Sequence, residues 1–179
     1  KGVACPGCEK RGPVLLSVAD YSGPVREIIV NYKFHGVTAP SGLFAAWWSD
    51  QYSDMLTDLA PDFLLPIPLH PDREYSRGYN QAEVFAQALS ETLDLPVRDD
   101  LLVRIRRRKL QSRLRRSERA RNIRGVFACD VSDDAAREAE RVIIVDDVVT
   151  SGATVLEARR VLERNGINVV AVASIAHGL

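Results

Sequence analysis

The chain has 179 residues, and its 24 basic residues balance its 24 acidic ones. This length predicts one domain with room for a small appendage, and the zero net charge of the whole chain predicts no nucleic-acid or membrane partner. No apolar run approaches the roughly 18 residues of a membrane span, and no basic-then-apolar signal opens the sequence, so we expect a soluble cytoplasmic protein.

Two cysteines near the start, Cys5 and Cys8, form the sequence CPGC. A CxxC pair supplies half of the four ligands of a structural zinc site, and neither the isolated Cys129 nor the scattered histidines complete it. We expect an irregular segment over residues 1–20 that carries half of a zinc ribbon, and Zn²⁺ only if a first cysteine pair is present upstream. A redox pair and a chance turn are the alternatives.

Two helices are predicted next. YSGPVREIIVNYKFHG has apolar residues at helical spacing and Gly36 at its end. SGLFAAWWSDQYSDMLTDL predicts a second helix with a bulky face formed by Leu43, Trp47 and Met55. Because Trp47 and Trp48 are adjacent, they cannot both face the core, and we expect one of them to be buried.

The middle of the chain combines one short strand, one helix and a basic segment. DFLLPIPLH predicts the strand, PDREYSRGY a polar loop, and NQAEVFAQALSETL a helix with Asn80 and Glu83 at capping-box spacing. Residues 104–124 then contain ten arginines and one lysine against the single Glu118.

The last third alternates strands and a helix. GVFAC and RVIIVDD predict strands on either side of an acidic polar stretch, and a helix of about 12 residues closed by Asn165-Gly166 precedes a final strand, NVVAVASIA. This alternation predicts an α/β fold with a mainly parallel sheet. The runs VIIV and VVAVA are continuously apolar, which is typical of strands covered on both faces.

The stretch VIIVDDVVTSGAT indicates a binding site. Ligands of parallel sheets bind beyond the carboxyl ends of the strands, where Asp146 and Asp147 are expected to lie. A small, hydroxyl-bearing loop that enters a helix suits a phosphate monoester, whereas carboxylates bind sugar hydroxyls or a hydrated Mg²⁺. Together they indicate a 5-phosphorylated ribose, with its diol on the two aspartates and its phosphate on Thr150, Ser151, Gly152, Ala153 and Thr154.

Two other interpretations of this stretch are open. The first is a capped helix after a strand, with the acids as ordinary residues of a turn. The second is the Walker-B carboxylate of an ATPase, which requires a GxxxxGK[ST] loop. The chain contains no Gly-Lys dipeptide, which disfavours the second interpretation.

All thirteen positions of VIIVDDVVTSGAT resemble the signature of type I phosphoribosyltransferases, which bind phosphoribosyl pyrophosphate (PRPP). YKFHG, PIPLH, SRGYNQAE, QSRLRRSERARN and VFAC occur in the order seen in ComF-like competence proteins, and the similarity extends over residues 5–178. The resemblance implies a type I phosphoribosyltransferase-like fold with a flexible hood. It also implies a cysteine-containing segment over residues 1–20, the remnant of a zinc ribbon, and a phosphoribosyltransferase-like domain over residues 21–179.

The resemblance also implies roles for individual residues. Asp146 and Asp147 hold the ribose and are the catalytic pair. The loop after the predicted strand binds pyrophosphate through His70, Arg73 and Arg77. The hood includes Arg108, Gln111, Arg119 and Asn122, and its arginines add positive charge as it closes over the pyrophosphate. The alternatives are a solvated loop for the former set and, for the basic segment, a charged exposed helix or a groove for single-stranded nucleic acid.

The function implied is a Mg²⁺-dependent transfer of ribose 5-phosphate from PRPP to an unidentified acceptor, with release of pyrophosphate. The alternative is a non-enzymatic competence factor that binds PRPP or a nucleotide and acts in DNA uptake. In that case the arginine-rich segment contacts single-stranded DNA.

Overall fold

The protein is described by a computed structural model over residues 3–4, 13–34, 38–105, 124–130 and 141–178. The strands are β1 (Val3–Ala4), β2 (Val14–Asp20), β3 (Phe63–Pro66), β4 (Leu102–Arg104), β5 (Phe127–Cys129), β6 (Arg141–Val149) and β7 (Asn168–His177). The helices are α1 (Gly23–Phe34), α2 (Pro40–Leu59), α3 (Pro71–Arg77), α4 (Gln81–Leu93) and α5 (Ala153–Arg164).

A five-stranded sheet in the order β1-β2-β7-β6-β3 forms the centre of the fold. Its four longer strands run parallel, and β1 pairs antiparallel with β2 at one edge. β4 and β5 form a separate antiparallel pair. The predicted α/β fold with a mainly parallel sheet is therefore confirmed. The prediction of an irregular segment over residues 1–20 is wrong for residues 3–4, which form β1, and for residues 14–20, which form β2 and pair in register with β7.

The apolar run of β6 is buried on both faces of the sheet, as predicted. Val142 and Ile144 pack into a core with α5, β4 and β5, whereas Ile143 and Val145 pack into a second core with α1, α2 and α4. All four side chains are 0% exposed. Because successive side chains of a strand point to opposite faces, a strand covered on both sides must be apolar at every position.

The segment Pro71–Arg77 is a helix rather than the predicted polar loop. Its side-chain cap is His70, whose Nδ1 accepts a hydrogen bond from the N–H of Asp72 at 3.2 Å. Pro71 occupies the first turn, where a missing N–H costs nothing, and Gly78 ends the helix at φ 82°. The segment is mostly polar, and its composition alone does not distinguish a short capped helix from a loop.

Two predicted helix boundaries agree with the structure. α4 follows Asn80, whose side-chain oxygen accepts a hydrogen bond from the N–H of Ala82 at 3.1 Å. α5 has 12 residues and is followed by Asn165 and Gly166, the latter at φ 84°. In the part of the chain that the structure describes, no helix combines the length and apolar character needed to cross a membrane.

Of the predicted bulky face of Leu43, Trp47 and Met55, only Met55 packs against the core of the sheet, whereas Leu43 and Trp47 are exposed. The buried side chains are instead those of Phe44, Ala45, Trp48 and Tyr52. Hydrogen bonds to β2 select this face: Trp48 Nε1 donates to the carbonyl of Leu16 at 2.9 Å, and the Tyr52 hydroxyl donates to that of Ser17 at 2.8 Å. Trp48 is 0% and Trp47 is 47% exposed, which confirms that only one tryptophan faces the core.

The two tryptophans allow a matched test of this packing. We expect Trp48→Phe to lower the free energy of unfolding by about 1–3 kcal/mol, because it removes buried volume and leaves the Leu16 carbonyl without its donor. Trp47→Phe, the same chemical change one residue earlier, is expected to stay within about 0.5 kcal/mol of wild type. Urea denaturation measures both, and equal losses would contradict the assigned face.

Candidate functional site

A cleft of about 190 Å³ opens at the carboxyl ends of β3 and β6. Because these strands are parallel neighbours, the segments that leave them meet at one edge of the sheet. The predicted site residues that line the cleft are Arg73, Arg77, Asp146, Asp147, Thr150 and Thr154. They come from positions about 70 residues apart in sequence, so the fold brings the predicted cations and carboxylates together.

The two aspartates lie inside β6 rather than at its end. The strand continues to Val149 because it keeps pairing with β7, Val148 opposite Ala176 and Val149 opposite His177. Asp147 is 9% exposed, and its N–H donates to Asp146 Oδ1 at 2.9 Å. The edge of the sheet therefore holds both acids on a paired, rigid backbone.

The loop between β6 and α5 borders a second recess of about 30 Å³. Its lining includes Asp146 and the whole predicted phosphate loop, Thr150 to Thr154. Gly152 has φ 69° and precedes α5 without a side-chain cap. Glycine adopts that conformation without strain, and the first N–H groups of an uncapped helix attract an anion. The geometry suits an anion at this loop, and the phosphate position stays a prediction.

Two of the arginines that line the cleft come from α3. Arg73 and Arg77 are four residues apart, so they lie on one face of the helix, and both line the cleft. The Arg77 guanidinium donates from Nη1 to Gln81 Oε1 at 2.8 Å. Burial lowers the pKa of Arg77 and the charge of Arg73 lowers it further, while the Asp147 carboxylate acts in the opposite direction. An anion between the two guanidinium groups would relieve their repulsion.

The remaining predicted site residues do not line the cleft or are not described. The His70 imidazole caps α3 and lies 3.6 Å from the Asp72 carboxylate, and it is absent from the described lining of the cleft. Arg108, Gln111, Arg119 and Asn122 of the predicted hood lie outside the described residues, as do Cys5 and Cys8. Their roles stay predictions.

Three polar residues of the cleft were not predicted as site residues: Asn80, Gln81 and Arg104. Asn80 Nδ2 donates to the carbonyl of Ile67 at 3.0 Å, which ties the start of α4 to the segment after β3. Gln81 and Asn80 belong to the SRGYNQAE motif, which identified the family without assigning them a contact. Arg104 opens the arginine-rich segment and lies on β4.

Tyr32 connects α1 to the start of α4 beside the cleft. Its hydroxyl donates to the carbonyl of Gln81 at 2.8 Å, and the Tyr79 hydroxyl donates to the carbonyl of Tyr32. Burial and, second, the negative charge of Asp147 raise the pKa of Tyr32. The phenol therefore stays protonated and acts as a fixed donor.

Arg104 is held by the β4–β5 pair. Its guanidinium lies 5.5 Å from the centre of the Phe127 ring, and Nη1 donates to the carbonyl of Pro68 at 3.4 Å. The turn before β5 is in turn fixed by Glu157 of α5, whose Oε1 accepts from the N–H of Gly125 at 2.6 Å. Arg160 donates to both oxygens of Glu157. Helix α5 therefore lines the cleft through Thr154 in its first turn. It also supports, through Glu157, the β4–β5 pair that carries Arg104.

Comparison with known proteins gives matches over most of the chain. The family described as "Phosphoribosyl transferase domain" matches residues 80–178. Competence protein F of Haemophilus influenzae is 28% identical over 187 residues, which cover 96% of this chain and 77% of that protein. The DNA utilization protein YhgH of Salmonella typhi is 31% identical over 177 residues, 94% of this chain and 75% of that protein.

Solved structures of adenine phosphoribosyltransferases are similar at low sequence identity. An adenine phosphoribosyltransferase from Leishmania donovani has 15% identity and a TM-score of 0.49, and the match covers 94% of this chain and 74% of that chain.

The buried carboxylate of Glu157 predicts a defined pH dependence of stability. Hydrogen bonds from Arg160, and less so from Gly125, lower its pKa below the ordinary 4.5. The stabilising contribution is therefore complete above about pH 4.5 and is lost as the pH falls through the lower folded-state pKa. We expect wild type to be more stable than Glu157→Gln at neutral pH, and this difference to shrink below that value.

Glu163→Gln is the matched control for this measurement, because Glu163 is exposed and pairs with Arg159 on the same helix. It is expected to change urea midpoints little at any pH. A Glu157→Gln difference that is the same at about pH 3 and about pH 7 would contradict the inferred role of the carboxylate.

Proposed function

The chain belongs to the phosphoribosyltransferase family, in its ComF-like group, and on this premise we propose that it binds PRPP and transfers ribose 5-phosphate to an acceptor, with release of pyrophosphate. The observation that carries the proposal is the cleft itself. It joins two carboxylates on β6 to two arginines on α3 and to a small glycine-containing loop at the start of a helix.

Each part of PRPP has a chemical counterpart in this cleft. In the proposed complex the 5-phosphate binds at Thr150–Thr154, where backbone N–H groups and hydroxyls are donors. The ribose 2- and 3-hydroxyls donate to Asp146 and Asp147, which are acceptors when ionised. The pyrophosphate binds Arg73 and Arg77, because guanidinium groups bind phosphate oxygens with two donors at once.

The donor set of the cleft fits Mg²⁺ as well. Within the described ranges no group of three or more His, Cys, Asp or Glu side chains is arranged to hold a metal ion. Mg²⁺, however, is commonly held by one or two carboxylates together with phosphate oxygens of the substrate, and Asp146 and Asp147 supply such carboxylates. When bound, the ion would neutralise charge on the pyrophosphate.

The proposed transfer needs no covalent intermediate with the protein. The bond between C1 of the ribose and the pyrophosphate oxygen breaks as the acceptor bonds to C1 from the opposite face. Positive charge develops on the ribose, where the carboxylates of β6 stabilise it, and negative charge develops on the pyrophosphate, where the arginines of α3 stabilise it. The rigid strand and helix hold both ends of the substrate in place during this step.

The carboxylates provide the test of the enzymatic proposal. With PRPP, Mg²⁺ and a panel of candidate acceptors, we expect wild type to release pyrophosphate and Asp146→Asn/Asp147→Asn to be slower by roughly 100-fold or more. A coupled pyrophosphate assay measures the rate. Asp54→Asn, an exposed carboxylate on α2, is the control and should match wild type. Wild type that binds PRPP but never exceeds the double variant would contradict transfer.

A second function is proposed because relatives are named for competence and DNA utilization. In this alternative the protein binds PRPP or a nucleotide without turnover and acts in DNA uptake. The support is the concentration of positive charge over residues 104–124, since phosphate contacts dominate binding to nucleic acid. The segment itself contains no aromatic residue, so any base stacking must come from elsewhere.

Salt dependence tests this alternative. Single-stranded DNA binding should weaken with salt, and replacing Arg113, Arg115 and Arg116 by alanine should reduce the logarithmic slope by up to about 2, since each phosphate contact contributes about 0.7. The control removes the same charge elsewhere, at Arg26, Arg98 and Arg164. Fluorescence anisotropy over a salt series measures the slopes. Affinity that does not change with salt, or equal effects of both triple variants, would contradict a DNA-binding segment.

A further inference from the structure

The exposed side of α2 carries two large apolar side chains one helical turn apart. Leu43 is 77% exposed and Trp47 is 47% exposed, and their spacing of four residues places them on one face of the helix. Gly42 and Ala46 beside them are exposed as well, and a Cβ added at Gly42 would meet no described atom within 4 Å. Single exposed apolar residues are common, but tryptophan is enriched at the centres of protein interfaces.

The same side of α2 becomes acidic towards the end of the helix. Asp50, Asp54 and Asp58 follow Trp47 at spacings of three or four residues, so they continue the stripe that begins at Leu43. All three aspartates are exposed. Within the described ranges their carboxylates form no ion pair.

This charge pattern does not stabilise the helix that carries it. Carboxylates four residues apart repel each other, and Asp58 lies in the last turn, where the helix dipole favours a cation. No basic residue occupies that turn. The helix is attached to the sheet through its opposite side, where Trp48 and Tyr52 donate hydrogen bonds to β2. The packing of the described residues therefore does not account for the acidic, apolar stripe.

The order of groups along the stripe defines the chemistry of a partner. From Leu43 to Asp58 the stripe extends over about 22 Å, which is four turns of helix. Its complement is an amphipathic helix with large apolar side chains in one half and lysines or arginines at one-turn spacing in the other. Nucleic acid and anionic lipid surfaces do not fit, because the three aspartates repel them.

We propose that this exposed stripe of α2, formed by Leu43, Trp47, Asp50, Asp54 and Asp58, is a docking surface for a basic amphipathic helix of another protein. The apolar residues supply the contact area, and the aspartates attract and orient the partner. None of the five residues belongs to the described lining of the cleft. The proposal therefore does not depend on transfer of ribose 5-phosphate.

A synthetic helical peptide of about 18 residues, with leucines on one half of its face and lysines on the other, is the probe. We expect Leu43→Ser/Trp47→Ser to weaken its binding at least about tenfold, because aromatic anchors dominate such contacts. Asp50→Asn/Asp54→Asn/Asp58→Asn should weaken it about fivefold or more in dilute salt, and less than about twofold in roughly 1 M salt, which screens the charges. Fluorescence anisotropy of the labelled peptide measures the dissociation constants.

Two matched variants remove the same chemistry outside α2. Ile105→Ser replaces an apolar side chain that is 56% exposed, and Glu27→Gln/Asp94→Asn/Asp99→Asn replaces three exposed carboxylates. Both should bind the probe within about twofold of wild type. Because every replaced side chain is exposed, all melting temperatures should lie within about 2 °C of wild type. If Leu43→Ser/Trp47→Ser fails to fold, the aspartate variant decides alone. A probe that binds wild type no more tightly than the stripe variants would overturn the proposal.

Two other occupants of the stripe are distinguished in the same experiment. If sedimentation equilibrium shows that wild type self-associates and the stripe variants do not, a second copy covers the surface and the proposal is overturned. It is also overturned if a peptide of residues 104–124, the basic segment of this chain, binds at least as tightly as the probe and loses affinity in both stripe variants. A wild type of unchanged mass that binds the probe through the stripe, and this second peptide more weakly, supports a separate protein as the partner.

Discussion

The parallel pairing of β6 with its neighbours β3 and β7 is the constraint on which the rest of the structure depends. It provides partners on both sides for the backbone hydrogen bonds of a strand that is apolar on both faces. It also brings the carboxyl ends of these strands to one edge of the sheet. Segments that leave those ends then meet although they are distant in sequence. Arg73 and Asp147 line one cleft for this reason, and α5 can start at the same edge only because β6 ends there.

The electrostatic balance of the cleft follows from this arrangement. Adjacent carboxylates repel each other, and Asp147 is nearly buried, so the fold must supply compensating groups. Part comes from the N–H of Asp147, which donates to Asp146, and part from the positive charge of Arg77, which Asp147 influences through space. The carboxylates lie on β6 and the two guanidinium groups on α3, and both sets line the same cleft. A ligand with both hydroxyls and phosphates is suited to the space between them.

The sequence was most informative where the determining interactions are local. The motif that contains Asp146 and Asp147 includes its own strand, turn glycine and helix start, so both fold class and ribose-phosphate chemistry could be predicted from it. The positions of Leu43 and Trp47 on the bulky face of α2 and the polar loop over residues 71–79 were predicted wrongly, because contacts with distant residues or with single atoms decide them. Trp48 is selected by a carbonyl of β2, and α3 depends on a cap from a histidine nitrogen, which residue periodicity does not reveal.

The hydrogen bonds of Asn80 and Gln81 are contacts that sequence patterns do not predict. Both are buried amides at the start of α4. Asn80 is engaged at both ends by backbone groups, from Ala82 and to Ile67, so its amide serves the fold. Gln81 is engaged at one end only. Arg104 Nε, Ser174 Oγ and His177 Nδ1 are buried as well. Of these three residues only Arg104 belongs to the described lining of the cleft, where its guanidinium donates to the carbonyl of Pro68 and lies over the ring of Phe127. The Gln81 amide instead serves the cleft through its oxygen, which holds the Arg77 guanidinium, a contact that residue periodicity does not reveal.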